Sequence, residues 1–341
     1  MQILIVSPRA ENAITGNEVT ARRYARILRH LGHRVALAAA YSGESMDGLV
    51  ALHARRSHPS IARFAARHPE RPLIVVLTGT DLYRDIRTDP DAQRSLALAT
   101  RLVVLQRMGL DELPEEYRAR THVIYQSTPL LRASVTRPTT EFRVCVVGHL
   151  RGEKDPLRTA LAARRLPPSS RIQVVHVGAA LSPDFAERAR WEMAANPRYR
   201  WLGALPHGQT RRLLAGSHLL SITSLMEGSS NALGEALAQP SPTPVVATRI
   251  SGLIGTLGEQ YPGYFPVADT EALTELLRRA ETDPAFYEAL QAQCARAAPL
   301  VAPERERESW RQLLADVRHG QPPDGNRVTV RRTLHPAGQP G

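Results

Sequence analysis

Apolar positions along this chain follow two periods that alternate. Short runs of consecutive apolar residues stand between longer stretches in which apolar residues recur at helical spacing. In the first half the runs predict strands over 3–6, 34–38, 48–53, 73–77, 102–105 and 122–125. Strands this uniformly apolar, joined by amphipathic helices, belong to a parallel sheet buried on both faces. The first helix is predicted to open at Asn17, a good N-cap residue. It carries Val19, Tyr24, Ile27, Leu28 and Leu31 on its apolar side and stops at Gly32.

Residues 127–140, rich in Pro, Ser and Thr, interrupt the rhythm and read as an interdomain linker. The alternation then restarts, with strands predicted over 142–147, 172–177, 200–202, 219–222 and 245–247. Helices are predicted over 270–281, 284–297 and 304–318. The expected organisation is an α/β chain of two Rossmann-like domains, 1–138 and 139–303, followed by a helix at 304–319. The Gly- and Pro-rich stretch 320–341 is expected to be disordered. Two such halves leave a cleft where the C-terminal ends of the strands meet, the usual ligand site of these sheets.

Composition narrows the function. The 341 residues carry a net charge of +11, yet the basic residues are scattered and aromatics make up only 5%. Nucleic-acid binding, which wants a basic patch with stacking aromatics, is therefore disfavoured. No apolar run reaches the ~20 residues that span a bilayer, and the chain opens directly on a strand with no leader. Cys145 and Cys294 are far apart and form no metal-binding pair, so no metal site and a reducing cytoplasm are expected. Of 44 lysines and arginines, Lys154 is the single lysine. A compact ammonium meets a phosphate differently from a planar guanidinium, which singles this position out.

Lys154 lies in VVGHLRGEKDP (146–156), where a strand runs through small residues into a helical stretch. Such a turn turns backbone N–H groups toward an anion, with Arg151 and Lys154 placed to neutralise a departing diphosphate. Any strand–turn–helix with exposed charges has a similar look. The second motif, MEGSSNALGEAL (226–237), follows an apolar strand and brackets small polar residues with two carboxylates. Ser229, Ser230 and Asn231 are candidates to cap a helix and present N–H groups to a phosphate. Glu235 is spaced to meet vicinal hydroxyls and Glu227 to meet a sugar at the rim. A capping box with surface glutamates is the plainer account.

Together these motifs resemble the nucleotide-sugar half of the retaining GT-B glycosyltransferases. The resemblance implies that Lys154 contacts the donor diphosphate, Glu227 faces the donor sugar and Glu235 binds ribose. The family usually has Arg five residues before the Lys; here that donor-site position is His149, and Arg151 stands two residues on. In the N-terminal half ITGNEVTARRYARIL, LVALHARRS, VVLTGTDLYRD and VIYQS resemble a narrower group, the selenosugar synthases of selenoneine biosynthesis. This resemblance, over roughly 1–318, implies that selenophosphate is joined to UDP-N-acetylglucosamine, with no cofactor and no metal. It also implies a functional link to selenophosphate-producing and selenoneine-forming enzymes.

The residues of the N-terminal wall suit that acceptor. Gly16 and Asn17 open a helix and offer N–H groups; Arg55 and Arg56 follow the third strand, and Thr80 and Asp81 follow the fourth. This is a small, polar, anion-accepting surface. An already ionised nucleophile needs no general base, so Asp81 is expected to orient groups rather than take a proton. His53 and His176, inside apolar strands, are expected to be core histidines. Two other functions fit the same residues: transfer of a sugar to a hydroxyl acceptor, and nucleotide-sugar binding without catalysis. Turnover of UDP-sugar separates the last.

Overall fold

The computed structural model describes residues 1–8, 16–132 and 135–319. The stretch 320–341, expected to be disordered, and Thr15, next to the predicted cap, lie outside them. The described strands are β1 (Gln2–Val6), β2 (Arg34–Ala38), β3 (Gly48–Leu52), β4 (Leu73–Val76), β5 (Arg101–Val104), β6 (Thr121–Val123), β7 (Phe142–Val147), β8 (Ile172–Val177), β9 (Tyr199–Trp201), β10 (Leu219–Ile222), β11 (Val245–Thr248) and β12 (Tyr264–Phe265). They form two sheets of six, in the orders β2-β1-β3-β4-β5-β6 and β12-β11-β10-β7-β8-β9. Every pairing is parallel. The expected strands are present with ends shifted by a residue or two; β12, only two residues long, has no periodicity to reveal it.

Burial explains the uninterrupted apolar runs. β3, β4 and β10 are buried at every position, because helices cover both faces of each sheet. The helix Gly16–His30 ends as expected: His33 N–H donates to the Leu28 carbonyl and Gly32 N–H to that of Arg29, with Gly32 at φ 86°. Two positions differ from expectation: Asn17 is helical instead of capping, and Val19 is exposed, so that Tyr24, Ile27 and Leu28 are buried together with Ala21 and Ala25.

The chain crosses between the lobes twice. The first crossing follows β6; the second is the 3-10 turn Ala298–Val301, and Thr128 N–H donates to the Val301 carbonyl at 3.0 Å where they run together. The last helix, Pro303–His319, then packs on the N-terminal sheet, placing Trp310, Leu313 and Leu314 in a core with Tyr24, Leu28 and Ile124. On that helix Glu306, 1% exposed, accepts bonds from the backbone N–H and hydroxyl of Ser127 and faces Arg23 Nε at 3.3 Å. Arg23 in turn donates to the Ser127 carbonyl.

Further contacts join the two lobes. Tyr125 Oη donates to the Gly255 carbonyl at 2.8 Å, and Ser251 Oγ to Glu112 Oε1 at 3.1 Å. Gly228 of the C-terminal lobe rests on the backbone of Thr78, where a Cβ would collide with the carbonyl oxygen. Among the described residues no helix is long and apolar enough to cross a membrane.

Burial raises the Glu306 pKa, and Arg23 and Ser127 pull it back. Removing Arg23 strands a buried carboxylate, so Arg23→Ala is expected to cost about 3–5 kcal/mol in urea unfolding at pH 8. A raised carboxyl pKa means the folded state takes up the proton more readily. The deficit should therefore shrink as pH falls and the carboxyl takes up its proton. A pH-independent loss below about 1 kcal/mol would contradict this account.

Candidate active site

The C-terminal side of the cleft is built around the end of β7. His176, buried in β8, is held between Gly148 O at 3.1 Å and Tyr199 Oη at 2.9 Å. A carbonyl can only accept, so Nε2 carries the proton and Nδ1 accepts from the tyrosine. Burial lowers the His176 pKa to about 4, so it stays neutral and fixes the carbonyl at the head of the loop. It is a core histidine, as its sequence position suggested. The next residue, His149, accepts from Ala179 N–H through Nδ1 at 3.1 Å. Burial, then the charges of Arg151 and Lys154, lower its pKa, so His149 also stays neutral.

Beyond it the 3-10 turn Gly152–Lys154 is stitched to the segment after β10. Thr223 Oγ1 lies 2.9 Å from the carbonyls of both Lys154 and Asp155, and Leu225 N–H donates to the Glu153 carbonyl at 2.9 Å. This brings the two motifs together, 73 residues apart in sequence: Lys154 Nζ donates to Glu227 Oε1, which also accepts from Ser224 Oγ at 2.7 Å. Glu227 is 8% exposed. Both side chains border a cavity with Gly148, Ser224 and Ser230. Arg151, half exposed, lies 3.9 Å from Glu153 at the loop's outer edge.

Ser230 alone caps the helix Asn231–Leu237, its hydroxyl accepting from Leu233 N–H; Ser229 precedes the cap and Asn231 is the first helical residue. All three line a second cavity, together with Gln126 and Thr128 of the first crossing. Across it, a Cβ on Gly16 would sit 4.0 Å from Asn231 Nδ2, so the expected acceptor-side helix start meets the donor-side one. Asn17 is half-buried beside it. Glu235, 9% exposed, accepts from His207 Nε2 at 2.8 Å.

The N-terminal wall departs from expectation in part. Asp81 is fully buried, and its carboxylate accepts from the backbone N–H groups of Ala54, Thr78 and Gly79 at 2.9–3.0 Å. It orients that wall from beneath rather than lining it. His53 is buried, as expected, but at φ 73°, and it is not merely core. Its Nδ1 accepts from Arg56 N–H, which leaves Nε2 to donate to Thr80 Oγ1 at 3.1 Å. Its pKa is lowered, chiefly by burial. Arg55 is bound by Asp85, while Arg56 is exposed. The residues that sequence reading missed are Thr223, Ser224, His207 and Asp85. Thr223, Ser224 and His207 lie outside the motifs, and Asp85 ends one of them without having been assigned a role. Thr223, His207 and Asp85 reach the site through partners distant in sequence.

The bond to Glu235 raises the His207 pKa. A raised value means that the pair's stabilisation is complete below about pH 6.5, the unfolded value, and is lost as pH rises through the folded one. His207→Ala should therefore lower the melting temperature slightly at pH 6 and not at pH 9. The effect should stay below about 1 kcal/mol, because the imidazole is largely exposed. Equal melting at pH 6 would remove the pair.

Comparison with known proteins agrees with this arrangement. Solved structures share the fold over nearly the whole chain at low identity. HepE of Anabaena in complex with UDP and glucose is 16% identical, with a TM-score of 0.73, covering 93% of this chain and 100% of that one. Sucrose-phosphate synthase of Thermosynechococcus elongatus is 15% identical, with a TM-score of 0.74 and coverages of 94% and 100%. The E. coli trehalose-6-phosphate structure with bound UDP-2-fluoro glucose is 12% identical, with a TM-score of 0.71 and the same coverages. No curated protein matches the sequence. The two facing parallel-sheet halves are thus a GT-B fold. The family model for glycosyl transferases group 1 matches residues 127–300, about half of the chain, which spans the crossing, the Lys154 loop and both glutamates: the protein belongs to the glycosyl transferases group 1 family.

Proposed function

We propose that this glycosyltransferase takes its sugar from a UDP-sugar, UDP-N-acetylglucosamine, and passes it to selenophosphate, giving a sugar carried on selenium and UDP. The observation that carries the donor half is the Lys154–Glu227 pair. In the free protein each charge is the other's partner, inside a cavity where an unpaired charge is costly. A nucleotide sugar offers both a replacement: diphosphate for the ammonium, a sugar hydroxyl for the carboxylate. The similar structures hold UDP with glucose and UDP-2-fluoro glucose, which supports this class of donor.

In the proposed step a selenium lone pair attacks the anomeric carbon and the bond from that carbon to the diphosphate oxygen breaks. The departing electron pair stays on UDP, where Lys154 and Arg151 meet the growing charge. Ser229, Ser230 and Asn231 hold the phosphates, His149 stays beside them as a neutral group, and Glu235 exchanges His207 for ribose hydroxyls. The acceptor sits on the opposite wall, against Gly16, Asn17, Arg55, Arg56 and Thr80, with Asp81 shaping that wall from below. The state of this wall supports an ionised nucleophile. The Asp81 carboxylate is filled by backbone N–H groups, and the His53 nitrogens are engaged with Arg56 N–H and Thr80, so neither stands ready to accept a proton. The reaction would then follow selenophosphate production and precede the formation of selenoneine.

Lys154→Ala is expected to lower turnover by about 2–4 kcal/mol of barrier, and also to lower the melting temperature, because it leaves the buried Glu227 carboxylate with Ser224 as its partner. UDP release at the wild-type rate would remove Lys154 from the mechanism. Titration calorimetry divides the glutamates: Glu235→Ala should weaken UDP and UDP-sugar alike, and Glu227→Ala the UDP-sugar alone. Equal losses for both ligands in both variants would contradict the division.

The acceptor is tested by anaerobic incubation with UDP-sugars and either selenophosphate or simple alcohols, with products weighed by mass spectrometry. Inorganic phosphate should compete with the acceptor and not with UDP-sugar. Glycosylation of an alcohol without phosphate inhibition would overturn the selenium assignment and leave the glycosyltransferase.

A further inference from the structure

The loops after β3 and β4 bring members of two sequence motifs, LVALHARRS and VVLTGTDLYRD, into one charged cluster whose pairing the motifs do not reveal. Asp85 is buried at the end of the tight turn Asp81–Asp85, its side chain 5% exposed. Its two oxygens face two arginines: Arg55 Nε donates to Oδ2 at 2.8 Å and Arg84 Nε to Oδ1 at 3.1 Å. Burial works against the charge on Asp85, but the bonds from Arg55 and then Arg84 outweigh it and hold its pKa below the ordinary value.

What matters is which nitrogens are used. Both guanidinium groups are fastened through Nε, the nitrogen nearest the stem. Among the described residues, neither has a further partner at its terminal nitrogens. The two side chains remain 39% and 54% exposed. A planar guanidinium held at Nε turns its outer N–H groups away from the anchoring carboxylate, in a fixed fork suited to a tetrahedral oxyanion. Arg56 adds a third exposed guanidinium one residue from Arg55.

The other charges nearby do not cancel this. Asp81 is buried with its oxygens filled by backbone N–H groups, and His53 is kept neutral. Asp89, which also acts on Arg55, has its carboxylate turned to the N–H groups of Asp91 and Ala92 as a helix cap. The three arginines equal Asp81, Asp85 and Asp89 in number, but only Asp85 bonds to Arg55 and Arg84. The other two carboxylates are spent on backbone N–H groups beside the edge where Gly228 of the other lobe abuts Thr78.

We propose that Arg55 and Arg84, spread and held by Asp85 and flanked by Arg56, form a clamp for the tetrahedral oxyanion of the acceptor. Arg84 is then a binding residue and Asp85 a positioning residue. This rests on the reading of the acceptor as a phosphate-class anion and assigns the groups that select it. A neutral alcohol gains nothing from these forks, whereas a phosphate oxyanion satisfies several outer N–H groups at once.

The test is titration calorimetry of inorganic phosphate and thiophosphate into the full chain saturated with UDP. Wild type should bind either anion, and Arg84→Ala and Arg55→Ala should each weaken it about tenfold or more, the scale of one charge-assisted hydrogen bond. Asp85→Asn should weaken it too, by loosening both arginines, while UDP affinity stays within twofold in all three. Arg84 is exposed, so its variant stays informative if Asp85→Asn fails to fold. Wild-type anion binding that none of the variants changes would overturn the clamp and leave the anionic acceptor standing. No anion binding by wild type would overturn both.

Discussion

The carboxylate of Glu306 holds the molecule's most demanding junction. Two chain crossings and the return of the last helix onto the first lobe converge there, and each brings polar groups into a buried space. Ser127 supplies an N–H and a hydroxyl, Arg23 a guanidinium, and Glu306 answers both. The crossings are also bonded to each other through Thr128 and Val301, so both chain passages between the lobes run side by side. With all strands parallel and their C-terminal ends turned to the same gap, that junction sets which loops face one another. The cleft follows from the junction.

Across the cleft the charges proposed to meet ligands share a design. Lys154 is paired with Glu227, Glu235 with His207, and Arg55 and Arg84 with Asp85. An isolated charge in such a space would shift its ionisation or draw in water. Pairing within the fold answers each charge instead. On the proposed reading the pairs differ in what they release: Glu227 and Glu235 would give up a bond to receive a hydroxyl, whereas the arginines would keep theirs and offer outer nitrogens.

Much of this was legible in the residue pattern. The uninterrupted apolar runs at 48–52 and 219–222 announced strands buried on both faces, and Gly32 announced the end of the first helix through the left-handed backbone it adopts. Lys154 stood out as the one lysine of the chain, and Glu227 and Glu235 as carboxylates around small residues. These signals are local: each depends on the residue's own backbone preference, or on neighbours within a turn or two. Asn17 shows their limit. Its type favours a cap, yet it is already helical, and nothing in its side chain decides that.

The sequence by itself determined the α/β class, the two halves, most strand positions and the two donor motifs, because periodicity and backbone preference act over short stretches of chain. Only the tertiary structure decided which charges meet. Asp81 reads as a wall carboxylate, yet three backbone N–H groups from two loops turn it inward. His207 lies outside the motifs and Asp85 merely ends one, and their partners stand 28 and 30 residues away. The last helix reads as an appendage and instead closes the first lobe's core with Trp310. Such contacts depend on how loops from different strands are carried to one sheet edge. A pattern along the chain does not encode that path, because the energy that selects it comes from burying the whole assembly at once.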